Sequence, residues 1–374
     1  MAVNRRQIAR KHFQPDWWLL ASVLLLTAIG VIMVFSASQY FAAYEPYNDA
    51  YKFLKDQLKN VAVGLALLLI AFKVKINAYK KLSYPAFLIL IGLLGFMLIY
   101  EGVEEIGGAE RWLIIGGFRF QPSELAKIIL PMALARWMTA HQEEIGSFKT
   151  GFLPVCGAIA LTAGLILAQK SLSVAVVVGA TGFVMMFCGG IRPKYLLSTM
   201  GLGIVGVVGA IALEGYRMER IYAWFDPWAY SGDEGWQTCQ SLMALGSGGL
   251  TGVGLGQGGS KWFYLPARHT DYIFSIIGEE LGFLGATFVV LLIAFIVWRG
   301  LMIAVKAPDM YTSLLALGLI GFIGIQALVN LGVVTGLLPV TGVTLPFVSY
   351  GGTSMVVSLC MVGILLNISC YTEK

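Results

Sequence analysis

Charged side chains are scarce in this chain: Asp, Glu, Lys and Arg make up 13% of its 374 residues, against 57% hydrophobic residues. The mean hydropathy is +0.77. A composition this apolar is typical of a protein embedded in a lipid bilayer. The net charge is +5, but no basic patch with interleaved aromatic residues is present, which argues against nucleic acid as a partner.

Cysteine, histidine and linker sequence are also sparse. The five cysteines form neither an even-numbered framework nor a metal-binding spacing, and the three histidines are scattered, so a disulfide scaffold and a zinc site are both disfavoured. No Pro/Ser linker, low-complexity tract or repeat of fixed period interrupts the sequence. We therefore expect a single membrane domain over residues 1–374.

Long apolar runs dominate what remains. A helix needs about 17 to 25 residues to cross a hydrocarbon core of about 30 Å, and unpaired backbone groups are not tolerated in lipid. Alternating strand patterns are absent from the runs, so the sequence predicts an all-α polytopic membrane protein with about ten transmembrane helices. The runs lie near residues 17–38, 58–72, 83–100, 122–139, 152–169, 172–190, 195–213, 271–298, 311–335 and 348–367.

The distribution of Lys and Arg predicts the orientation. Basic residues precede the first run and follow the second, sixth and eighth runs, and loops rich in Lys and Arg stay in the cytoplasm. With ten spans, residues 1–16 and the C-terminus are both expected in the cytoplasm. The small residues 36–38 leave a cleaved signal peptide as an alternative. The first run is long and more runs follow it, so we expect an uncleaved anchor.

The longest polar stretch runs from residue 226 to residue 285 and overlaps a large extracytoplasmic loop, 214–270, between the seventh and eighth helices. Loops held by a rigid scaffold commonly carry function. The outer segments 39–57, 101–121 and 336–347 bring polar or Gly/Pro-rich sequence to the same side, whereas the inner loops are short and basic. We therefore expect the chemistry on the outer side.

Asp271 stands where the large loop meets the eighth span. An Asp before a helix commonly serves as an N-cap, because its carboxylate accepts free N–H groups and complements the helix dipole. A carboxylate at the boundary between water and lipid can instead have a pKa raised by desolvation and act as a general base, although the dipole lowers that pKa. Spacing alone favours the cap and leaves both roles open.

Further charges lie within or beside the spans. Glu124 and Lys127 are three residues apart and can pair on one helix face, either as a buried structural pair or as part of a cavity wall. Glu279 and Glu280 lie about 12 to 14 Å deeper than Asp271, at about 1.5 Å per residue. We expect at least one of these two glutamates to face a cavity or a cation.

The outer segments also contain cations that suit an anionic head group such as a diphosphate. Taken singly, each cation is explained by default as a solvated surface charge. These cations are Arg111, Arg119, Arg217, Arg220, Lys261 and Arg268.

A glycine run, GSGGLTGVGLGQGG, occupies the middle of the large loop and contains a G-x-G-x-x-G spacing. A nucleotide-binding fold requires a βαβ unit around that spacing, and the sequence has no soluble α/β domain. The run instead predicts a backbone that a ligand or another helix can approach closely. A structural role and a substrate-contacting role are left equally open.

Several separated motifs together resemble the SEDS family (shape, elongation, division and sporulation), which includes FtsW, RodA and SpoVE. The resemblance covers nearly the whole chain, and the MVFSAS and TLPFVSYGG segments are more similar to the FtsW/SpoVE branch than to RodA. The motifs are MVFSAS from Met33, RWLIIGGFRFQPSELAK from Arg111, FDPW from Phe225, GWQTCQSLMALGSGGLTGVGLG from Gly235, KWFYLPARHTDYIFSIIGEELGFLG from Lys261 and PVTGVTLPFVSYGG from Pro339.

The resemblance implies ten transmembrane helices and a peptidoglycan glycosyltransferase that polymerises lipid II at the outer face of the cytoplasmic (inner) membrane during cell division. It implies that Asp271 is the general base of an inverting transfer with undecaprenyl diphosphate as the leaving group. The predicted substrate-binding residues are Arg111, Glu124, Lys127, Arg217, Arg220, Lys261, His269, Thr270 and Ser349.

The family also implies partners: lipid II, the nascent glycan strand, a class B penicillin-binding protein that crosslinks the product, and division proteins that regulate activity. No tightly bound cofactor is expected. A divalent cation, Mg²⁺ or Mn²⁺, can share the charge of the diphosphate, but no Asp/Glu cluster in the sequence marks a metal cage.

Two departures from the family pattern lie near or within these motifs. Many relatives have PEAHTDF where this chain has PARHTDY, so an acidic position is lost and Arg268 is gained, and KSLSVA from Lys170 replaces a PDLGTA-like turn.

Two alternative functions remain. A lipid II flippase would also contain intramembrane charges and glycine-rich breaks, and a non-catalytic division scaffold would not need Asp271.

Overall fold

A computed structural model describes residues 14–44, 47–100, 104–106, 109–115, 118–261 and 265–372. Helices dominate the described chain. The α-helices are α1 Trp17–Ala43, α2 Lys52–Lys73, α3 Ile76–Met97, α4 Ala126–Ala140, α5 Leu153–Ala168, α6 Leu172–Cys188, α7 Pro193–Ala212, α8 Gly215–Phe225, α9 Trp236–Ser247, α10 Ile273–Val305, α11 Met310–Val334 and α12 Gly352–Ser369.

Each of the ten predicted spans coincides with a helix, and α8 and α9 are additional helices within the large loop. Within the described residues, seven helical segments are long and apolar enough to cross a membrane, and α6 is a shorter apolar helix. Helix α2 begins with charged residues, and α4 has only 15 residues after a 3₁₀ turn at Pro122–Leu125. The all-α membrane fold is confirmed, whereas the count of ten spans stays a prediction.

A small antiparallel sheet was not expected from the sequence. Strands β1 Glu104–Ile106, β2 Ala109–Ile115 and β3 Phe118–Phe120 pair in the order β1-β2-β3. Residue 113 pairs with residue 120, and residue 115 with residue 118. All three strands lie within the segment 101–121 that the sequence predicts outside the membrane, where backbone groups need not be satisfied by a helix.

The most buried of the candidate spans are α11 and α12, and α7 is the most exposed. Helix α12 packs closely on α2: a Cβ atom at Gly363 would meet the backbone oxygen of Leu68. Small residues allow helix backbones to approach in this way, which gains dispersion contacts where lipid provides no hydrophobic drive. The Nδ2 amide of Asn367 also donates to the carbonyl of Ala71 in α2 at 3.2 Å.

Helix α10 is broken at Gly282, whose φ of 68° and ψ of −170° are not helical. The glycine run lies against this break and bonds to its backbone. The amides of Val253 and Gly254 donate to the carbonyls of Glu279 (3.0 Å) and Glu280 (3.1 Å). On the other side of the break, the amides of Phe283 and Leu284 donate to the carbonyls of residues 249 (2.9 Å) and 250 (3.1 Å).

These four bonds satisfy groups that an interrupted helix would otherwise leave unpaired. The predicted close approach of another helix to the glycine run is therefore confirmed, and that helix is α10. The break divides α10 into a first segment, residues 273–281, and a longer second segment, residues 283–305. Asp271 lies two residues before the first segment, so the glycine run contacts the helical segment that follows it.

Candidate functional site

A tight turn at residues 267–272 positions Asp271. The amides of Thr270 and Tyr272 both donate to the carbonyl of Ala267, at 3.0 and 3.3 Å, and Ala267 has a φ of 51°. Helix α10 begins at Ile273, and Tyr272 occupies the N-cap position without a side-chain capping bond. The N-cap interpretation of Asp271 is therefore corrected: the residue lies one position further from the helix and is partly buried.

Asn330 of α11 holds the main chain of Asp271. Its Nδ2 donates to the carbonyls of Asp271 and Val343, both at 2.7 Å, and the side chain is 1% exposed. Sequence reasoning missed this residue. The available signal was a lone amide within an apolar span, because a polar side chain there usually bonds within the protein.

Ser349 and Tyr350 hold the preceding residues. The Ser349 hydroxyl donates to the carbonyl of Thr270 at 2.7 Å and accepts from the amide of Leu345 at 2.7 Å. The amide of Tyr350 donates to the carbonyl of His269 at 2.8 Å. The Ser349 hydroxyl is engaged and the residue is 4% exposed, so it positions this turn. Its contact with substrate stays a prediction.

His269 packs among aromatic rings. Its ring lies 4.6 Å from that of Phe53, 5.6 Å from that of Tyr350 and 6.2 Å from that of Phe41. Burial, and next the positive charge of Arg268, lower the pKa of His269 to about 4. The imidazole is neutral near pH 7 and packs among these rings, and its contact with substrate stays a prediction. The hydroxyl of Thr270 donates to the carbonyl of Ala267 at 3.0 Å.

Glu124 and Lys127 form the predicted pair. The Lys127 Nζ lies 2.6 Å from the Glu124 Oε2, and the two side chains are 6% and 3% exposed. Glu124 is in the 3₁₀ turn that precedes α4, and Lys127 is in the first turn of α4. The pairing on one helix face is confirmed. Contact of either residue with substrate stays a prediction.

Lys261 is engaged by Glu280. The Lys261 Nζ lies 2.9 Å from the Glu280 Oε1 with both side chains fully buried, and the ammonium also lies 5.1 Å from the ring centroid of Tyr40. The other Glu280 oxygen accepts from the Ser36 hydroxyl at 2.6 Å. The expectation that Glu279 or Glu280 faces a cation is confirmed, whereas contact of Lys261 with a diphosphate stays a prediction.

Arg217 is also bound by protein groups. Its Nη1 donates to the carbonyl of Ala210 near the end of α7 at 2.7 Å, and its Nε donates to the Tyr216 hydroxyl at 3.0 Å. The residue is 9% exposed. A cation at a helix C-terminus satisfies a free carbonyl and complements the dipole. Arg217 therefore caps α7, and its contact with substrate stays a prediction.

The predicted clamp of cations stays a prediction. Arg111 has its main chain in β2, and its side chain lies outside the described part of the structure. Arg220 lies in α8, with its Nε 3.6 Å from the Glu234 Oε2. Arg220 also lines a pocket.

That pocket has a volume of about 650 Å³ and lies beside the turn that carries Asp271. Its wall includes Pro266, five residues before Asp271. Burial and then the charge of Asp271 raise the pKa of the Tyr272 hydroxyl, while Arg220 lowers it, so both charged groups act on this hydroxyl. The lining residues are Arg220, Gly232, Asp233, Glu234, Trp236, Gln237 and Pro266.

The described residues form no cage for a metal ion, since no group of three or more His, Cys, Asp or Glu side chains in that part of the chain converges on one point. The donor set therefore offers nothing that fits a dedicated Mg²⁺ or Mn²⁺ site, which needs several oxygen ligands. Assistance by a divalent cation stays a prediction from the sequence.

Comparisons with known proteins give matches that cover almost the entire chain. Residues 16–374 match the family described as "Cell cycle protein", which comprises FtsW, RodA and SpoVE. The chain is 41% identical to "Stage V sporulation protein E" of Bacillus subtilis (strain 168), over 97% of this chain and 99% of that protein. It is 40% identical to "Probable peptidoglycan glycosyltransferase FtsW" of Geobacter sp. (strain M18), over 95% and 96%.

Solved structures show the same architecture. One, described as "Structural coordination of polymerization and crosslinking by a peptidoglycan synthase complex", superposes with a TM-score of 0.80 at 29% identity, covering 95% of this chain and 97% of that chain. The rod shape determining protein RodA of Thermus thermophilus gives a TM-score of 0.71 at 28% identity, covering 96% and 98%. This chain is a multi-pass membrane protein and belongs to the FtsW/RodA/SpoVE family of cell cycle proteins.

Proposed function

We propose that this chain is a peptidoglycan glycosyltransferase that polymerises lipid II into glycan strands during cell division. Relatives named as peptidoglycan glycosyltransferases cover nearly its whole length. The observation in the structure that supports this proposal most is that the main chain at Asp271 is held in place. Asn330 donates to the carbonyl of Asp271, and Ser349 donates to the carbonyl of Thr270. A general base needs a fixed position relative to the proton it accepts.

In the proposed reaction, the carboxylate of Asp271 accepts the proton of the 4-hydroxyl of the acceptor GlcNAc. The resulting oxygen nucleophile forms a bond to the anomeric carbon of the donor MurNAc. The bond from that carbon to the diphosphate breaks, and undecaprenyl diphosphate leaves with the bonding electrons. Attack opposite to the leaving group inverts the anomeric centre. The leaving group is already anionic, so it needs stabilisation of charge more than a proton donor.

The membrane arrangement is part of the same proposal. The proposed reaction takes place at the outer face of the cytoplasmic (inner) membrane, in which the lipid substrate is anchored. Residues 214–270 lie outside, and both termini lie in the cytoplasm. The basic inner loops support this orientation. A class B penicillin-binding protein is the proposed crosslinking partner, in line with the structural relative described as coordinating polymerisation and crosslinking. Division regulators would act on that complex.

The test is polymerisation of purified lipid II by the wild-type protein and by Asp271→Asn, with and without the cognate transpeptidase. The amide is nearly isosteric but cannot accept the proton, so we expect the variant to be folded and to make no glycan. Asp226→Asn is the matched control, because it changes an exposed Asp of the same loop and is expected to retain activity.

The same variants distinguish the alternatives. A flippase would translocate lipid II in vesicles without making glycan, and a non-catalytic scaffold would support growth with Asn at position 271. Normal polymerisation by Asp271→Asn would remove Asp271 from the mechanism.

A further inference from the structure

The pocket beside the Asp271 turn is built by three separate parts of the large loop. Arg220 comes from α8, Asp233 and Glu234 from the turn that follows it, Trp236 and Gln237 from the start of α9, and Pro266 from the chain that leads to Asp271. None of these parts belongs to a candidate membrane span. The pocket therefore suits the water-soluble portion of a lipid-linked substrate.

The charges of the pocket disfavour a diphosphate. Two carboxylates, Asp233 and Glu234, line the wall together with a single cation, Arg220, whose Nε lies 3.6 Å from Glu234. The wall carries a net negative charge, and like charges in a partly enclosed site repel an anionic ligand. A neutral ligand meets no such repulsion.

The remaining chemistry suits a saccharide. The indole of Trp236 offers a large apolar face for the C–H face of a pyranose, and its N–H is a donor. Gln237, the two carboxylates and the guanidinium of Arg220 offer planar donors and acceptors that match hydroxyl and acetamido groups. The volume of about 650 Å³ falls within the range of about 300–1,000 Å³ that is usual for small-ligand pockets.

Pro266 links the pocket to the turn that carries Asp271. It belongs to the pocket wall, and the next residue, Ala267, accepts the backbone bonds from residues 270 and 272 that shape this turn. A sugar seated in the pocket would therefore contact the segment that leads into the Asp271 turn.

We propose that this pocket is the acceptor saccharide subsite: it binds the neutral GlcNAc unit of lipid II and does not bind the diphosphate. The assignment rests on the proposed function for the identity of the sugar. It changes the role of Arg220 from a diphosphate ligand, as predicted from the sequence, to a specificity residue of the acceptor subsite. Trp236 is the proposed stacking surface.

The first measurement is direct binding of N,N′-diacetylchitobiose, a neutral GlcNAc–GlcNAc disaccharide, to purified full-length protein by calorimetry. We expect binding to the wild type and about five- to tenfold weaker binding to Trp236→Leu, which is the effect of losing one aromatic contact and its burial. Trp228→Leu is the matched control: it is an exposed tryptophan of the same loop that does not line the pocket. The control should bind as the wild type does.

The second measurement is inhibition of polymerisation by undecaprenyl diphosphate. Arg220→Gln should weaken disaccharide binding and raise the KM for lipid II, and it should leave inhibition by undecaprenyl diphosphate unchanged. If inhibition weakens in this variant while disaccharide binding is retained, the pocket takes the diphosphate and the proposal fails.

The two proposals fail in different ways. Disaccharide that does not bind the wild type, or that binds Trp236→Leu equally well, overturns the subsite even if the protein polymerises lipid II. A wild-type protein that binds the disaccharide through Trp236 but makes no glycan retains the saccharide pocket and overturns the polymerase function.

Discussion

At the scale of single residues, buried charges in this protein are satisfied by partners from other elements. Lys261 and Glu280 are fully buried, 2.9 Å apart, and the second Glu280 oxygen is bound by Ser36 of α1. Removing charges from water is costly, and a pair of this kind is tolerated because each oxygen and the ammonium are engaged. The pair therefore joins α1, the large loop and the first segment of α10.

Substitution of one partner of this pair is expected to cost stability. Lys261→Met leaves the Glu280 carboxylate buried without its cation, a change that costs about 3–5 kcal/mol in proteins. The double variant Lys261→Met, Glu280→Met should recover much of the loss, because no lone buried charge remains. Thermal unfolding in detergent measures both. Additive losses of stability in the double variant would contradict an electrostatic role. A raised KM for lipid II in a stable Lys261→Met variant would support contact of Lys261 with substrate.

His269 makes the fold sensitive to acid. Burial lowers its pKa to about 4 in the folded protein, against about 6.5 in an unfolded chain. As pH falls from about 6.5 to 4, the unfolded state binds a proton that the folded state does not, so the free energy of unfolding decreases. Above pH 6.5 this residue makes no contribution to the pH dependence.

His269→Phe keeps an aromatic ring within the cluster and removes the titration. We expect the melting temperature of the wild type to fall more steeply between pH 7 and pH 5 than that of the variant. Parallel pH profiles would show that the imidazole is not held neutral. Carboxylates titrate mainly below this window, so they affect both proteins alike.

At the scale of elements, the broken helix α10 and the glycine run form one unit. The position of Gly252 shows how close they are: its φ is 82°, and a Cβ atom there would meet the backbone of Glu280 and Gly282. Gly249, in the same run, has a φ of 55° and open space around its Cβ position. Alanine substitutions at the two positions therefore separate the effect of backbone strain from the effect of close approach to α10.

Gly252→Ala is expected to destabilise the protein more than Gly249→Ala. Both substitutions impose a positive φ on alanine, at about 1–2 kcal/mol, but only the first displaces α10 from the glycine run. Because the first segment of α10 follows Asp271, we also expect Gly252→Ala to lower kcat. Equal melting temperatures and equal rates for the two variants would show that the contact between the run and the break is dispensable.

At the scale of the whole molecule, the segments that the sequence predicts on the outer side meet at the same end of the helix bundle. They are 39–57, 101–121, 214–270 and 336–347. The ring of Phe41 at the end of α1 contacts His269, Gln57 of α2 donates to the carbonyl of Ser349, and Trp224 of the large loop donates to the carbonyl of Gly336. Thr353 at the start of α12 also accepts from the amide of Gln121 at 3.1 Å. The proposed active end is thus assembled from segments far apart in the sequence.

Cysteine labelling tests the orientation of this end. Gly232→Cys introduces a thiol at an exposed loop position with open space around it, and Lys306→Cys introduces one at the exposed end of α10. A membrane-impermeant maleimide should label residue 232 in intact cells and residue 306 only after permeabilisation. The wild type reports the background from its five native cysteines. The reverse pattern would place the large loop in the cytoplasm.

The sequence by itself determined the helical membrane architecture, since the length of an apolar run and the cost of unpaired backbone in lipid are local properties. It also determined the Glu124–Lys127 pair, whose partners are three residues apart on one helix face. The motifs around Asp271 were sufficient to identify the family. The small sheet at residues 104–120 was missed because water-facing strands this short carry little periodicity.

Only the tertiary structure decided the roles of most of the other charged and polar residues. Lys261 meets Glu280 across 19 residues, Asn330 meets Asp271 across 59, and Ser36 meets Glu280 across 244. Whether a cation contacts substrate or a buried carboxylate depends on which group lies within hydrogen-bond distance after folding. Electrostatic and packing energies act over a few ångströms in space, and spacing along the chain does not report those distances.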